Sequence, residues 1–417
     1  MSRINVKIAQ HGRRFSYTKR TGGTEDATIT VRDGAEVLVV GASLAGLCAA
    51  YSSAREGADT LLVDAAPEVG ARPNPATLLM EPLWRRSGLP IPAEGVDREL
   101  SGLKVSGPSG RGLLIRLRAV HLDRRRFDRY FAARAAEAGA IVQSGVRVEG
   151  LLSSGGVRTE SGPVSARVTA FADGATSTVR KVLPTMRNPE EVAWGLDQLL
   201  EAQDVGASSY SEVRFGSFAP GWRAQLNPLG GDRARLWTFI RGVPREELKS
   251  CAARALRAFY GANRIRVLEG RGGVDPAFVV PGRIAGDGVM ACGAAAGHGG
   301  LEYGARAGLL AGQVAARAVR CGDTSRRALI AYERTSERET RAELAAIRWG
   351  MASLRRLSDS ELDALFATLH GLTLEGGDLE ALLRGDLVAA VGMAGAGRGA
   401  RVSVRLLEGW LRALWVR

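Results

Sequence analysis

The sequence predicts an α/β fold in which a Rossmann-like dinucleotide-binding domain carries an inserted antiparallel sheet and a helical C-terminal region. Three observations support this prediction: a glycine-rich strand–helix–strand unit, an alternating aromatic middle region, and helical patterns after it. With 417 residues, of which 45% are hydrophobic, the chain can bury a large core. We therefore expect two closely joined domains.

The first 34 residues form a basic N-terminal extension. Residues 1–20 contain six basic side chains and no acidic one. Alternation of apolar and polar residues over 2–10 and 27–33 predicts strands. The extension is therefore expected to be an additional hairpin or a poorly ordered arm.

A βαβ unit follows directly. Residues 37–40 form a short apolar run typical of a buried parallel strand, and a helix follows the turn at 41–46. Gly57 is expected to end that helix, and 60–63 reads as a second strand that closes at Asp64. Strand, helix, strand and acid therefore occur in the order that dinucleotide-binding domains use.

The turn itself has the residue types that a pyrophosphate requires. Gly41 permits the tight bend, the small Ser43 lets the backbone approach a phosphate, and Gly46 allows the helix to pack on the strand. The helix N-terminus stabilises phosphate charge. Asp64, which follows Gly41 by 23 residues, is placed to accept hydrogen bonds from a ribose. The alternative is a packing turn in an unrelated α/β domain.

Composition excludes several classes of protein. The formal net charge of +13 favours acidic partners, but aromatic residues are only 6% and no known nucleic-acid module is present, so no nucleic-acid partner is expected. Four scattered cysteines without CxxC pairs argue against a zinc site and fit a reducing cytoplasm. The sequence lacks an apolar run long enough to span a bilayer.

Three later segments, 120–151, 168–183 and 284–319, repeat the strand-to-helix pattern in a characteristic order. With the first βαβ unit they resemble the geranylgeranyl reductase family, and most closely its archaeal branch, over about residues 36–390. That family consists of FAD-dependent enzymes with the fold of the aromatic hydroxylases, and its archaeal branch saturates the isoprenoid chains of membrane lipids. A Leu-rich segment at 357–372 resembles the C-terminal region of the archaeal branch.

The resemblance implies contacts to the adenosine and pyrophosphate half of FAD. It implies that Ala45 and the 41–46 turn meet the pyrophosphate and that Asp64 binds the ribose. It further implies that Val148 makes backbone hydrogen bonds to adenine. Arg124, in a DRxxFD-like context, would reach the phosphate or ribityl region.

The resemblance also implies that a late turn at 293–301 approaches the flavin ring and ribityl chain, with Gly300 and Leu301 at the start of a helix. The family pattern GDAAG is altered here, because Ala294 occupies the aspartate position. The loop that follows, which contains His298, is several residues shorter. His298 is expected to cap the turn or to be partly exposed, with a chemical role as the alternative.

The middle region, 186–274, is predicted to be an antiparallel substrate domain. It resembles in outline the family's aromatic GYxWxFP strand, with Ala224 near the position of the inner tryptophan. Its aromatic side chains are expected either to line an apolar tunnel for a polyprenyl chain or simply to form the core of the sheet. These residues are Trp194, Phe215, Trp222, Trp237 and Phe239.

The remaining boundaries follow from these assignments. The FAD-binding domain is predicted to be discontinuous, with parts at 35–185 and 275–345, and the C-terminal helical region spans 346–417. Within the latter, 401–417 places apolar and tryptophan side chains on one helical face and arginines elsewhere. Such a helix packs on its own protein or contacts a membrane surface, so the expected location is cytoplasmic or peripheral at a membrane.

The functional hypothesis is reduction of C=C bonds in polyprenyl lipids by hydride transfer from reduced flavin. The sequence does not identify the electron donor, because no separate NADPH-binding module is readable, and NAD(P)H and ferredoxin are the two candidates. The sequence identifies no catalytic acid–base pair or metal-binding set. Two alternatives are an FAD-dependent monooxygenase of the same fold and a paralogue that kept the fold but lost its flavin.

Overall fold

A computed structural model describes residues 5–7, 14–19, 27–71, 76–261, 265–276 and 279–384. The strands are β1 (Asn5–Lys7), β2 (Arg14–Lys19), β3 (Ala27–Arg32), β4 (Gly34–Val40), β5 (Thr60–Asp64), β6 (Leu78–Met80), β7 (Val96–Ser106), β8 (Gly112–Leu122), β9 (Ile141–Ser144), β10 (Val148–Leu151), β11 (Val157–Thr159), β12 (Gly162–Phe171), β13 (Ala193–Glu201), β14 (Tyr210–Arg214), β15 (Ala224–Gly230), β16 (Arg233–Ile240), β17 (Arg266–Asp275), β18 (Ala285–Gly286), β19 (Val289–Ala291) and β20 (Thr373–Glu375). The helices are α1 (Leu44–Arg55), α2 (Glu81–Trp84), α3 (Arg124–Glu137), α4 (Leu248–Tyr260), α5 (Leu301–Arg320), α6 (Arg326–Leu354), α7 (Asp359–Thr368) and α8 (Gly376–Arg384).

The chain divides into two compact units. The first contains Met1–Asn74, Arg124–Asn188 and Val279–Glu337, and the second contains the intervening segments and the C-terminal part. Pro75–Asp123 therefore belongs to the second unit, whereas the predicted boundaries put it in the FAD-binding domain. The reason is strand pairing, because β7 and β8 in this segment pair with β14 and β20 of the second unit.

The first unit is built on a mainly parallel sheet with the order β10-β11-β12-β4-β5-β9. In β4, Val39 lies opposite Ala170 of β12 on one side and Leu62 of β5 on the other. The apolar residues of β4 and β5 are almost fully buried, which explains why both strands appear as continuous hydrophobic runs in the sequence. The predicted βαβ unit is therefore confirmed.

Helices α1 and α5 cross at unusually short range. A Cβ atom added to Gly308 would lie 2.1 Å from the carbonyl oxygen of Ala45, and one added to Gly312 would lie 2.2 Å from that of Ala49. Only glycine allows two helix backbones to come this close. The small residues of α5 thus hold its N-terminal end against the start of α1.

The N-terminal strands form a separate three-stranded antiparallel sheet with the order β1-β2-β3. The two strands predicted from alternation, at 2–10 and 27–33, correspond to β1 and β3. They do not pair with each other, since each pairs with β2. The extension is therefore a meander and not a single hairpin.

The second unit contains a nine-stranded sheet with the order β17-β13-β16-β15-β14-β7-β8-β20, and β6 adds to β8. Helix α4 packs on one face through Cys251 and Ala255. The other face, here called the inner face, packs against Met351 of α6 and against Leu362 and Phe366 of α7. The predicted amphipathic helix at 401–417 lies outside the described residues. Within the described ranges, none of the helices combines the length and apolar character that a membrane span requires.

Candidate functional site

The turn between β4 and α1 has a backbone that only glycine tolerates at two points. Gly41 has φ of +103°, and a Cβ atom there would lie 2.7 Å from the carbonyl oxygen of Ala172. A Cβ atom at Gly46 would lie 1.9 Å from the carbonyl oxygen of Gly41. Ser43 caps α1 by accepting from the Gly46 N–H at 3.4 Å, and its hydroxyl donates to the Ala172 carbonyl at 2.9 Å. The turn is thus fixed against the end of β12.

Asp64 holds this turn from the next strand. One carboxylate oxygen accepts from the Ala42 N–H at 2.7 Å, and the other accepts from the Ala66 N–H at 2.7 Å. Each oxygen keeps a second lone pair, so the carboxylate can still accept from a ribose hydroxyl. Asp64 therefore orders the phosphate-binding turn and remains available to a ligand.

Asp173 was not among the predicted site residues, although it lies in segment 168–183, which contributes to the resemblance to the geranylgeranyl reductase family. It follows β12 directly, beside Gly41, and its Oδ2 accepts from the Thr178 N–H at 3.1 Å. Its buried Oδ1 has no hydrogen-bond partner among the described residues. Burial raises the pKa of the Asp173 carboxyl. The readable signal was the Asp-Gly pair at the end of a predicted strand.

The late turn lies against the first one. Gly293–Ala296 is a single 3-10 turn after β19, and a Cβ atom on Gly293 would lie 2.6 Å from the Cβ of Ala45. Within this turn Gly293, Ala295 and Ala296 are buried, whereas Ala294 keeps partial exposure. Ala294 is therefore the partly exposed position of the turn, and it carries a methyl group where the family pattern has a carboxylate.

The loop after the turn leads into α5. Gly300, with φ of +90°, is the residue before the helix, and Leu301 is its first residue, as predicted for the helix start. His298 caps the turn through its backbone N–H, which donates to the Gly293 carbonyl at 3.0 Å. Its imidazole is buried and not partly exposed, with Nε2 3.1 Å from the Ser336 hydroxyl. Burial, with a smaller contribution from Arg306, lowers the pKa of His298 to about 4, so its ring is neutral near pH 7.

Arg124 and Val148 remain predictions as cofactor contacts. Arg124 is the first residue of α3, is buried, and forms an ion pair with Asp128 at 2.8 Å. Its guanidinium is therefore held by its own helix. Val148 begins β10 at the edge of the first unit's sheet, opposite Thr159 of β11.

The residues of the first unit fit a dinucleotide. Close backbone approach at Gly41, an N-terminal helix end, the Asp64 carboxylate and the unsatisfied Oδ1 of Asp173 all lie around one pair of turns. These residues do not include a carboxylate at position 294, where the chain has alanine. The arrangement therefore supports FAD binding with one hydrogen bond fewer than the family pattern offers.

The aromatic residues of the second unit divide between the two faces of its sheet. Phe215, Trp222, Trp237 and Phe239 belong to the inner face. Trp194 packs on the opposite face, with the Arg245 guanidinium 4.7 Å from its ring centroid. Four of the five residues thus belong to one buried core cluster, and Trp194 does not.

The inner face also contains a buried ion pair between Asp197 and Arg235. Asp197 lies opposite Trp237 in the β13–β16 ladder, so the two side chains share a face, and its Oδ2 accepts from Arg235 Nη1 at 2.6 Å. The ion pair alone would lower the pKa of Asp197. Burial of the carboxyl outweighs it and raises that pKa to about 6. The inner face therefore combines aromatic rings with a carboxyl group that titrates near neutral pH.

Comparison with known proteins agrees with this geometry. Residues 39–76 match the model of an NAD(P)-binding Rossmann-like domain. The chain is 30% identical to digeranylgeranylglycerophospholipid reductase 1 of Methanothermobacter thermautotrophicus over 366 residues, which covers 82% of this chain and 91% of that protein.

Two solved structures share the fold. A geranylgeranyl bacteriochlorophyll reductase-like protein from Thermoplasma acidophilum superposes with a TM-score of 0.79 at 23% identity, covering 90% of this chain and 99% of that one. A flavin-dependent brominase superposes with a TM-score of 0.65 at 16% identity, covering 91% of this chain and 99% of that one. The predicted fold class is confirmed.

The fold and the paired turns define a dinucleotide-binding protein with a Rossmann-like nucleotide domain. Within that class, the extent and identity of the sequence match are specific. The chain belongs to the digeranylgeranylglycerophospholipid reductase family.

Proposed function

We propose that this protein is a flavin-dependent reductase that saturates C=C bonds in the polyprenyl chains of membrane lipids or their precursors. The observation that carries the proposal is the contact of the late turn with the first turn, Gly293 against Ala45, in a chain of this family. When bound, FAD supplies the hydride chemistry that protein side chains cannot perform. The substrate class comes from the printed name of the relative in Methanothermobacter thermautotrophicus.

The residues of the first unit bind and orient the cofactor in this proposal. The N-terminus of α1, shaped by Gly41 and Ser43, receives the pyrophosphate. Asp64 and Asp173 accept from hydroxyl groups, since both keep acceptor capacity. Ala294 faces the ribityl chain without a charged partner, so affinity for FAD is expected to be moderate.

The inner face of the second unit supplies the polyprenyl site. Phe215, Trp222 and the stacked pair Trp237 and Phe239, whose ring centroids are 5.0 Å apart, offer apolar surface that excludes water. A C=C bond that accepts hydride also needs a proton. Asp197 is a carboxyl of the inner face whose pKa of about 6 leaves part of it protonated at neutral pH.

The first experiment is spectroscopic. The purified protein, incubated with FAD and desalted, is expected to show flavin absorbance in the visible range. After anaerobic reduction with dithionite, addition of a geranylgeranylated phospholipid should reoxidise the flavin and add two hydrogens per reduced double bond, detected by mass spectrometry. Lack of bound flavin would contradict both enzymatic functions. Oxygen-dependent turnover without alkene saturation would favour the monooxygenase.

The electron donor is tested in the same preparation. NADPH, NADH and reduced ferredoxin are supplied separately under anaerobic conditions, and the rate of flavin bleaching is recorded. The proposal expects at least one of the three to reduce the flavin. If none of the three reduces the flavin and dithionite does, neither NAD(P)H nor ferredoxin is the electron donor.

We further propose peripheral contact with a membrane through residues 401–417. The support is the sequence pattern alone, in which Trp410 and Trp415 share an apolar helical face with leucines. Flotation with anionic vesicles tests it: the double variant Trp410→Ser and Trp415→Ser should float less than the wild type. Equal flotation of the two proteins would remove this segment as the contact.

A further inference from the structure

A partly buried arginine, Arg223, lies next to two aromatic rings of the inner face. The Arg223 guanidinium carbon lies 4.2 Å from the ring centroid of Trp222 and 5.2 Å from that of Phe239. Both rings are almost fully buried, with 6% and 8% exposure. The guanidinium is therefore enclosed by aromatic side chains in the substrate half of the protein.

The donors of this guanidinium are mostly unused. Among the described residues, the guanidinium makes one long hydrogen bond, in which Nε donates to Gln225 Oε1 at 3.4 Å. No carboxylate of the described residues forms an ion pair with Arg223. Asp275 interacts with the guanidinium only electrostatically and raises its pKa, against the larger effect of burial. The Asp275 Oδ2 accepts from Trp222 Nε1 at 3.2 Å. A guanidinium has five N–H donors, so both Nη groups are left for another acceptor.

A row of polar side chains fixes the position of Arg223. Gln225 Nε2 donates to Asn227 Oδ1 at 2.9 Å, and the Ser211 hydroxyl donates to the same oxygen at 2.6 Å. Gln225 lies opposite Trp237 in the β15–β16 ladder, which places this row on the inner face. All three polar side chains are buried, and Arg223 meets this row through its Nε, which donates to Gln225 Oε1 at 3.4 Å.

Arg223 is partly accessible to solvent, although burial lowers its pKa. The guanidinium is therefore partly shielded from water and still reachable by a ligand. A cation in such a place is costly unless an anion compensates it. An arginine packed against aromatic rings can recognise a carboxylate or phosphate through its paired N–H donors.

We propose that Arg223, framed by Trp222, Phe239 and Gln225, is the binding site for an anionic oxygen group, a phosphate or a carboxylate, attached to the polyprenyl substrate. This inference rests on the proposed function, because it assigns the head group of the same substrate. The anion lies at the polar row of the inner face, and the apolar chain extends over the aromatic part. The protein is thus selective for isoprenoids with a charged end.

Three ligands with the same chain test this assignment by isothermal titration calorimetry on the FAD-loaded full chain: geranylgeranyl phosphate, geranylgeranoic acid and geranylgeraniol. The wild type should bind at least one of the two anions about tenfold or more tightly than the neutral alcohol. The anion that binds more tightly identifies the head group. Equal affinity for all three ligands, or binding of none, would overturn the proposal.

Variants locate the selectivity. Arg223→Gln should weaken binding of the preferred anion about 10- to 100-fold and leave binding of geranylgeraniol unchanged. Arg223→Lys should give an intermediate affinity, because an ammonium keeps the charge but lacks the planar fork. Undiminished anion binding in Arg223→Gln, or an equal loss for the alcohol, would show that the arginine only supports the fold.

A matched control comes from the opposite face of the same sheet. Arg245 also stacks on a tryptophan, Trp194, but it is exposed. Arg245→Gln should leave the affinity for all three ligands unchanged. Flavin absorbance and reduction are recorded for every variant. Anion selectivity without flavin reduction would reject the proposed function and keep this site, whereas reduction without anion selectivity would do the reverse.

Discussion

Restoring a carboxylate at the late turn is expected to tighten FAD binding. Ala294 is the partly exposed residue of the Gly293–Ala296 turn, so an aspartate side chain can be accommodated there without entering the core. A hydrogen bond between a charged group and a hydroxyl contributes about 1.5–3 kcal/mol. Because the position is partly open to water, the lower end applies, and Ala294→Asp should lower the Kd for FAD about tenfold.

The assay is a fluorescence titration of the flavin-free protein with FAD, performed for the wild type, Ala294→Asp and Ala294→Asn. The asparagine variant has the shape of aspartate without its charge, so it should gain less affinity than the aspartate variant. Ala133→Asp, at an exposed position of α3, adds the same charge away from the turn and should leave the Kd unchanged. An unchanged Kd in Ala294→Asp would mean that position 294 does not face the ribityl chain.

Three further predictions concern backbone geometry and titration. Gly41→Ala should destabilise the fold by about 1–3 kcal/mol and abolish FAD binding, because its Cβ would lie 2.7 Å from the Ala172 carbonyl oxygen; in urea unfolding, Gly57→Ala is the control, with positive φ but no atom within 4 Å. Asp197 has a folded pKa of about 6 against 3.8 unfolded, so its contribution to stability is complete below pH 3.8 and is lost as pH rises through 6; Asp197→Asn should remove a pH-dependent change of about 3 kcal/mol. His298 has a folded pKa of about 4 against 6.5, so stability falls as pH drops from 6.5 to 4, and its imidazole NMR signals should show a neutral ring at pH 6; a charged ring at that pH would contradict its burial.

The parts of the fold that local pattern determines were predictable. The buried runs at 37–40 and 60–63 identified β4 and β5, because strands covered on both faces contain little but apolar residues. The assignment of Pro75–Asp123 was not predictable in the same way. Its strands pair with β14 and β20, more than a hundred and two hundred and fifty residues later, and such pairings leave no local signal.

The candidate site divides in the same manner. Gly41, Ser43 and Asp64 were readable because a fixed spacing in one βαβ unit brings them together. Asp173 was missed because its significance lies in burial and in an unsatisfied oxygen, which only the packed structure reveals. Trp194 was grouped with the aromatic residues of the inner face, because the sequence alone does not show which face of a sheet each ring occupies.

The unsatisfied oxygen of Asp173 bears on whether the chain kept its flavin. A buried polar atom without a partner costs about 1–3 kcal/mol, and this one lies beside the Gly41 turn at the N-terminal end of α1. Without a ligand, this oxygen depends on water for a donor, whereas a ligand hydroxyl could donate to it directly. A bound dinucleotide would offer such a hydroxyl group, and its pyrophosphate could approach the turn closely because Gly41 has no Cβ atom. We therefore expect the alanine at position 294 to weaken flavin binding and not to abolish it, as the Ala294→Asp titration tests.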